Sequence, residues 1–218
     1  MVNRMTDLFA NSFEDRLRYA VTVAWGIFAR KVGGSLIPVN KEASMQLQYA
    51  YILKQMLPLI SYSQDEKVEI ELESWVKTSS RTKEIDILLK SSSVKGNHNI
   101  AIELKCYRKL ASSGGPRGAH DIFMKDVYED LMILEEYTSL GIAQRGVALV
   151  MNDLERFVNP SRKTGKCWAY DIAHGTCVSN VNLSTPIGGK DINIALRKSY
   201  SFEWMKFGNI WFVELEGK

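Results

Sequence analysis

Two short apolar runs, each interrupted by acid, constrain this chain more than any other feature. The first is Lys83-Glu84-Ile85-Asp86-Ile87-Leu88-Leu89. A polar stretch, Ser91 to Asn97, follows, and then Ile100-Ala101-Ile102-Glu103-Leu104-Lys105. β-Branched runs of this length separated by Ser and Gly predict a β-hairpin, with strands over 84–90 and 99–106. If the hairpin is symmetrical about residues 94 and 95, Asp86 lies opposite Glu103. Strand side chains alternate, so Glu103 and Lys105 share a face, and Ile100, Ile102 and Leu104 form the other, core-facing side. Two carboxylates so placed can hold a hard divalent cation such as Mg²⁺ through oxygen. A lysine beside them can orient a water and stabilise charge on a phosphate, which is the equipment for metal-assisted phosphodiester hydrolysis.

An Asp on one strand and Glu-x-Lys on the next resembles the pattern of the PD-(D/E)xK nucleases, the restriction-endonuclease-like superfamily. Ile85 stands where the family's name has Pro. Asp65-Glu66-Lys67 and Glu216-Gly217-Lys218 fit the same triplet, but no apolar strand with an Asp at hairpin distance precedes either. Spacing and strand context carry the specificity. The resemblance implies a mixed α/β fold, a restriction-endonuclease-like β-sheet flanked by helices with core order α-β-β-β-α-β. It also implies a Mg²⁺-dependent endonuclease, with Mn²⁺ able to substitute and DNA favoured over RNA. Asp86 and Glu103 would be the metal ligands, with the Leu104 carbonyl, and Lys105 would act on the attacking water. Many members place a Glu on the first core helix, facing the metal's water; Glu42 is the matching residue. A helix-N-terminal Glu that stabilises the macrodipole accounts for Glu42 equally well. Part of the superfamily carries a Gln and a Tyr four apart on the helix after the Glu-x-Lys strand. Here Lys125 is followed four residues later by Glu129, so that match fails.

The order of elements agrees with this expectation. Residues 12–32 read as an amphipathic helix, capped by Ser12 or Asn11 and ended by Gly33-Gly34. Asn40 is positioned to cap a second helix that runs to about Pro58. Residues 67–76 alternate strictly, with Glu69, Glu71 and Glu73 on one face and Val68, Ile70 and Leu72 on the other. These glutamates read mainly as a solvated face and are not assigned as ligands. Residues 120–140 form a long helix with Phe123, Val127, Leu131 and Leu134 on one stripe, closed by Gly141. A buried strand at 145–151 follows. One domain over 1–218 is expected, with a core at about 40–151 and an extension at 152–218 packed on the same sheet and ending in a strand at 209–214.

Composition bounds the alternatives. The chain has 218 residues, 45% hydrophobic and 24% charged, with a formal net charge of +3, which permits a nucleic-acid partner without demanding one. Cys106, Cys167 and Cys177 lack metal-site spacing and form an odd set, as expected of a cytoplasmic protein. The first ten residues lack a signal-peptide layout, and the apolar-rich stretch Tyr19 to Ala29 is too short to span a bilayer. His98, His120 and His174 are isolated, which argues against zinc. Ser112 and Ser113 have no His/Asp arrangement beside them.

The segment after Lys105 carries Arg108, Lys109 and Arg117 among glycines and without an acid, as a loop that follows a phosphate backbone would. Lys125 is a further candidate phosphate contact, while Asp126, Glu129 and Asp130 read as solvated surface. Cutting both strands of a duplex takes two sites, so a homodimer is expected. Restriction, antiviral defence and repair are the roles such an enzyme suits. The competing class is a non-catalytic nucleic-acid-binding or interaction module with the same fold; the intact Asp86, Glu103 and Lys105 argue against it.

Overall fold

The computed structural model describes residues 9–10, 12–79, 81–110 and 114–218. Asn11, Ser112, Ser113 and most of the first ten residues lie outside that description. A helix α1 (Phe13–Gly33) leads into α2 (Glu42–Ile60), then strands β1 (Lys67–Lys77), β2 (Thr82–Ser93), β3 (Gly96–Asn97) and β4 (Ile100–Tyr107). Next come α3 (His120–Ser139), β5 (Arg145–Asn152), the single turn α4 (Glu155–Val158) and a 3₁₀ turn at Lys166–Tyr170. Strands β6 (Cys177–Leu183), β7 (Ile194–Ser201), β8 (Met205–Phe207) and β9 (Ile210–Glu216) complete the chain.

The main sheet runs β1-β2-β4-β5-β9-β8, with β3 paired to β2 at the hairpin tip. All pairings are antiparallel except β4 with β5, where α3 makes the crossover that parallel strands require. The fold is thus mixed α/β, with a mostly antiparallel sheet flanked by helices, and apart from the two-residue β3, α2 through β5 follow the expected element order. Two cores sandwich the sheet. On one face α1 and α2 cover Ile87, Leu89, Ile100, Ile102, Leu104, Val147 and Leu149. On the other, α3 and parts of the tail cover Leu88, Ala101, Ala148, Val150 and Val213.

Local signals mostly act as expected. The Ser12 side chain accepts the Asp15 N–H and starts α1. Leu140 and Gly141 close α3 through N–H bonds to Glu136 and Thr138, and Gly141 takes the left-handed φ of 70° that favours glycine. The start of α2 differs from expectation: Lys41, not Asn40, is the cap residue, and the hydroxyl of Ser44 accepts the N–H groups of both. Pro58 lies inside the last turn of α2 rather than ending it. Gly146 lets α3 lie close on β5, since a Cβ there would stand 2.8 Å from Cβ of Leu134.

The tail divides differently from the expected single extension. β9 joins the main sheet beside β5, as anticipated, whereas β6 and β7 pair only with each other. Residues of β7, with Tyr170, Phe202 and Trp204, complete the core under α3. No helix among the described residues is long and apolar enough to cross a membrane.

Candidate active site

The hairpin forms in the expected register. Ser93 pairs with Gly96 and Ile87 with Ile102 around a turn at Val94-Lys95. Continuing that register one place beyond its last pair sets Asp86 opposite Glu103. Their carboxyls lie within hydrogen-bond reach, and Asp86 Oδ2 also accepts the Leu104 N–H at 2.7 Å. Gln46 on α2 donates to the Asp86 carbonyl at 2.8 Å and fixes the strand from the other side. The described contact of Leu104 with the site is therefore through its N–H.

Both faces of β4 are buried, so the polar face expected of the hairpin lies under α3 rather than in solvent. Glu103 and Lys105 interrupt an otherwise apolar surface between Ala101 and Tyr107. Glu103 is only 8% exposed, and its Oε1 has no hydrogen-bond partner. Burial first, then the charges of Asp130 and Asp86, raise its pKa well above the usual carboxylate range. Tyr137 stands against it, its hydroxyl close enough to lower the Glu103 pKa, though no hydrogen bond of good geometry joins them. Asp86 is raised too, burial outweighing the Leu104 N–H and the nearby Lys105.

Lys105 Nζ lies 3.1 Å from Asp130 Oδ2 and 3.7 Å from Glu42 Oε1. Burial opposes its charge, but Asp130 and Glu42 more than compensate, and the ammonium is held more firmly than in water. Glu42, the first residue of α2, is placed on the site by the helix start, and its Oε2 accepts the Cys106 N–H at 3.2 Å. Burial raises its pKa despite Lys105. The Cys106 thiol faces the α1–α2 core, where burial pushes its pKa up to about 12, as befits a small buried hydrophobe.

Asp130 corrects the sequence reading. It is not solvated surface: its side chain is 17% exposed and it closes the site from α3. Burial raises its carboxyl, partly offset by Lys105. The signal was present in the helical spacing, because Asp130 lies three residues after Val127 and four before Leu134, on the margin of the buried stripe.

Glu73 is a second departure. The register places it opposite Asp86, between the pairs Leu72–Ile87 and Ser74–Ile85, and its φ is +53° in mid-strand. Its charge acts on Asp86. Glu71, by contrast, is held at the surface by Lys90 and Ser74, which lower its pKa.

The expected phosphate contacts divide. Lys109 and Arg117 are exposed, the latter with its guanidinium 5.7 Å from the Tyr107 ring centre. Arg108 is paired with Asp153 at 3.4 Å, and the same carboxylate accepts the Lys109 N–H. The segment lacks acids of its own, but the end of β5 supplies one. Lys125 is neutralised within α3 by Asp126 and Glu129, so none of these three is a free surface charge. Among the described residues no three His, Cys, Asp or Glu side chains form a metal-holding group. A cation would therefore have two side-chain ligands, Asp86 and Glu103, with backbone oxygen or water completing its shell.

No protein-family model, curated protein or solved structure matches the chain.

Proposed function

We propose that this chain is a metal-dependent nuclease of restriction-endonuclease-like fold, acting on phosphodiester bonds and favouring DNA. The observation that carries the proposal is the Asp86–Glu103 pair: two facing carboxylates, one with a buried oxygen that lacks a well-formed hydrogen bond. Buried polar atoms are nearly always satisfied, and a hard divalent cation is a partner that suits two carboxylates. Asp86 and Glu103 would hold Mg²⁺, with the Leu104 carbonyl as a further oxygen ligand. Bound there, Mg²⁺ would supply Lewis-acid stabilisation of the phosphoryl oxygens and a water of lowered pKa.

The remaining roles belong to the chain. Lys105, kept cationic by Asp130 and Glu42, holds the attacking water or offsets charge on the pentacovalent phosphorus. Glu42 positions the outer water. Asp130 and Tyr137 flank the buried end and limit access of solvent. Lys109 and Arg117 lie on the segment that continues from β4, where they can meet the phosphate backbone. A homodimer working in the cytoplasm on both strands of a duplex completes the proposal.

Cleavage of plasmid, single-stranded DNA and RNA with Mg²⁺, Mn²⁺ or EDTA tests it. Asp86→Ala and Glu103→Ala are expected to abolish cleavage while the proteins stay folded. Wild-type protein that binds nucleic acid and never cuts would instead support the non-catalytic module; either variant cutting at the wild-type rate would retire the ligand assignment.

A further inference from the structure

At the N-terminal end of α3 lies a cavity of about 290 Å³ that the site above does not use. Phe157 and Met124, each 1% exposed, form its floor. His120 and Trp168 supply aromatic walls, and Asp121 and Arg156 add charged groups to the lining. The His120 ring meets Phe157 edge-on, at 87° and 5.6 Å between centres. The indole Nε1 of Trp168 is buried and has no acceptor. Asp121 gives one carboxylate oxygen to the Ile122 N–H, leaving the other as an acceptor.

Each property narrows the ligand. Ring and thioether surfaces suit a flat, polarisable molecule. A donor without a partner and an acceptor in one lining suit an edge that carries both groups, as every nucleobase does. The exposed guanidinium of Arg156 favours an attached phosphate. The cavity also adjoins the site. Tyr107, two residues beyond Lys105 on β4, contacts His120 with ring centres 5.6 Å apart and donates its hydroxyl to the Arg117 carbonyl at 2.6 Å.

We propose that this cavity takes one unstacked nucleobase of a single-stranded or locally opened nucleic acid, whose backbone continues past Arg117 toward Lys105. The continuation to Lys105 rests on the nuclease reading; the base pocket does not. A base inside an intact duplex cannot enter without flipping, so the pocket selects strands that are already open.

The test is binding of an end-labelled single-stranded DNA oligonucleotide, followed by anisotropy in EDTA. The indole N–H resonance of Trp168, assigned by its loss in Trp168→Phe, is followed in parallel. That resonance is expected to move as the oligonucleotide saturates the protein. Trp168→Phe should weaken binding about fivefold through the lost donor, and Trp168→Ala about fiftyfold, since it loses the stacking surface as well. Arg156→Ala should also weaken it, while affinity for a blunt duplex of the same sequence changes less than twofold in all three. If Trp168→Ala fails to fold, the indole resonance and Arg156→Ala still decide. An indole resonance that stays fixed at saturation, Trp168→Phe and Arg156→Ala variants that bind as wild type does, or no single-strand binding at all would overturn the proposal. Binding through Trp168 without Mg²⁺-dependent cleavage would retire the nuclease reading and keep the pocket; cleavage with a fixed indole resonance would do the reverse.

Discussion

Replacing Glu103 by Gln tests the site without any substrate. Glu103 is buried, its Oε1 is unpartnered, and burial together with Asp130 and Asp86 holds its pKa well above normal. A carboxyl with a raised folded-state pKa stabilises the fold fully below its unfolded value, about 4.3, and loses that contribution as pH climbs toward the folded value. In that window the folded chain keeps a proton that the unfolded chain has released, and stability falls by about 1.4 kcal/mol per pH unit. Gln carries no such proton. For each pH unit climbed within that window the stability difference should shift toward Glu103→Gln by about 1.4 kcal/mol, or about 3–6 °C in Tm for a chain of this length. Asp130 shares the titration, because its charge is among the causes that raise Glu103. Urea or thermal unfolding in EDTA across pH measures this directly. Adding Mg²⁺ at pH 7.5 should raise the wild-type Tm and leave Glu103→Gln nearly unchanged. Parallel pH profiles for the two proteins would refute the reasoning, because they would mean that Glu103 titrates alike in the folded and unfolded chains.

Lys105→Ala leaves Asp130 and Glu42 unneutralised in a half-buried setting and should cost about 2–3 kcal/mol, most of it recovered in Lys105→Ala/Asp130→Asn; urea melts of the three proteins give the comparison. The same variant should lower turnover while sparing Mg²⁺ affinity. Replacing Arg108, Lys109 and Arg117 together by Ala should flatten the salt dependence of nucleic-acid binding by about one unit of slope per lost phosphate contact. Lys109→Ala/Arg117→Ala should account for most of that change, since Asp153 already engages Arg108. Glu73→Gly removes a side chain from a left-handed mid-strand position and should stabilise the protein by about 0.5–1 kcal/mol in a urea melt.

Much of the site was legible because a hairpin is local. Once the turn falls at Val94-Lys95, period-two alternation sets Asp86 against Glu103 and puts Lys105 on the same side, and none of this needs tertiary information. Glu42 depended on how a distant helix docks, and only the family pattern pointed to it. Asp130 was missed because acids on a helix are usually solvated, yet α3 lies over the one stretch of β4 where the covering face is polar. Lys125 was read as an unpaired cation, whereas its neighbours Asp126 and Glu129 neutralise it along the same helix. The Glu73 φ value has no signature in an otherwise regular alternating run. The β6–β7 ribbon likewise could not be separated from the main sheet by pattern alone, because strand periodicity does not say which edge a strand joins.

The charge balance of the site leads to a last prediction. Glu42, Asp86, Glu103 and Asp130 converge on one ammonium, that of Lys105, and all four acids have raised pKa values with burial as the first cause. Such a surplus of buried acid has two remedies, protons or a cation, and they compete for the same oxygens. Binding of Mg²⁺ should therefore expel protons from the cluster. Titration calorimetry in buffers of different ionisation enthalpy measures the number released. It should be greatest near the raised pKa values, fall toward zero at high pH where the acids are already ionised, and nearly vanish in Glu103→Gln. Apparent Mg²⁺ affinity should rise with pH over the same window. Mg²⁺ binding that releases no protons at neutral pH would mean that the cation sits elsewhere, and the Asp86–Glu103 pair would lose its assignment as the metal site.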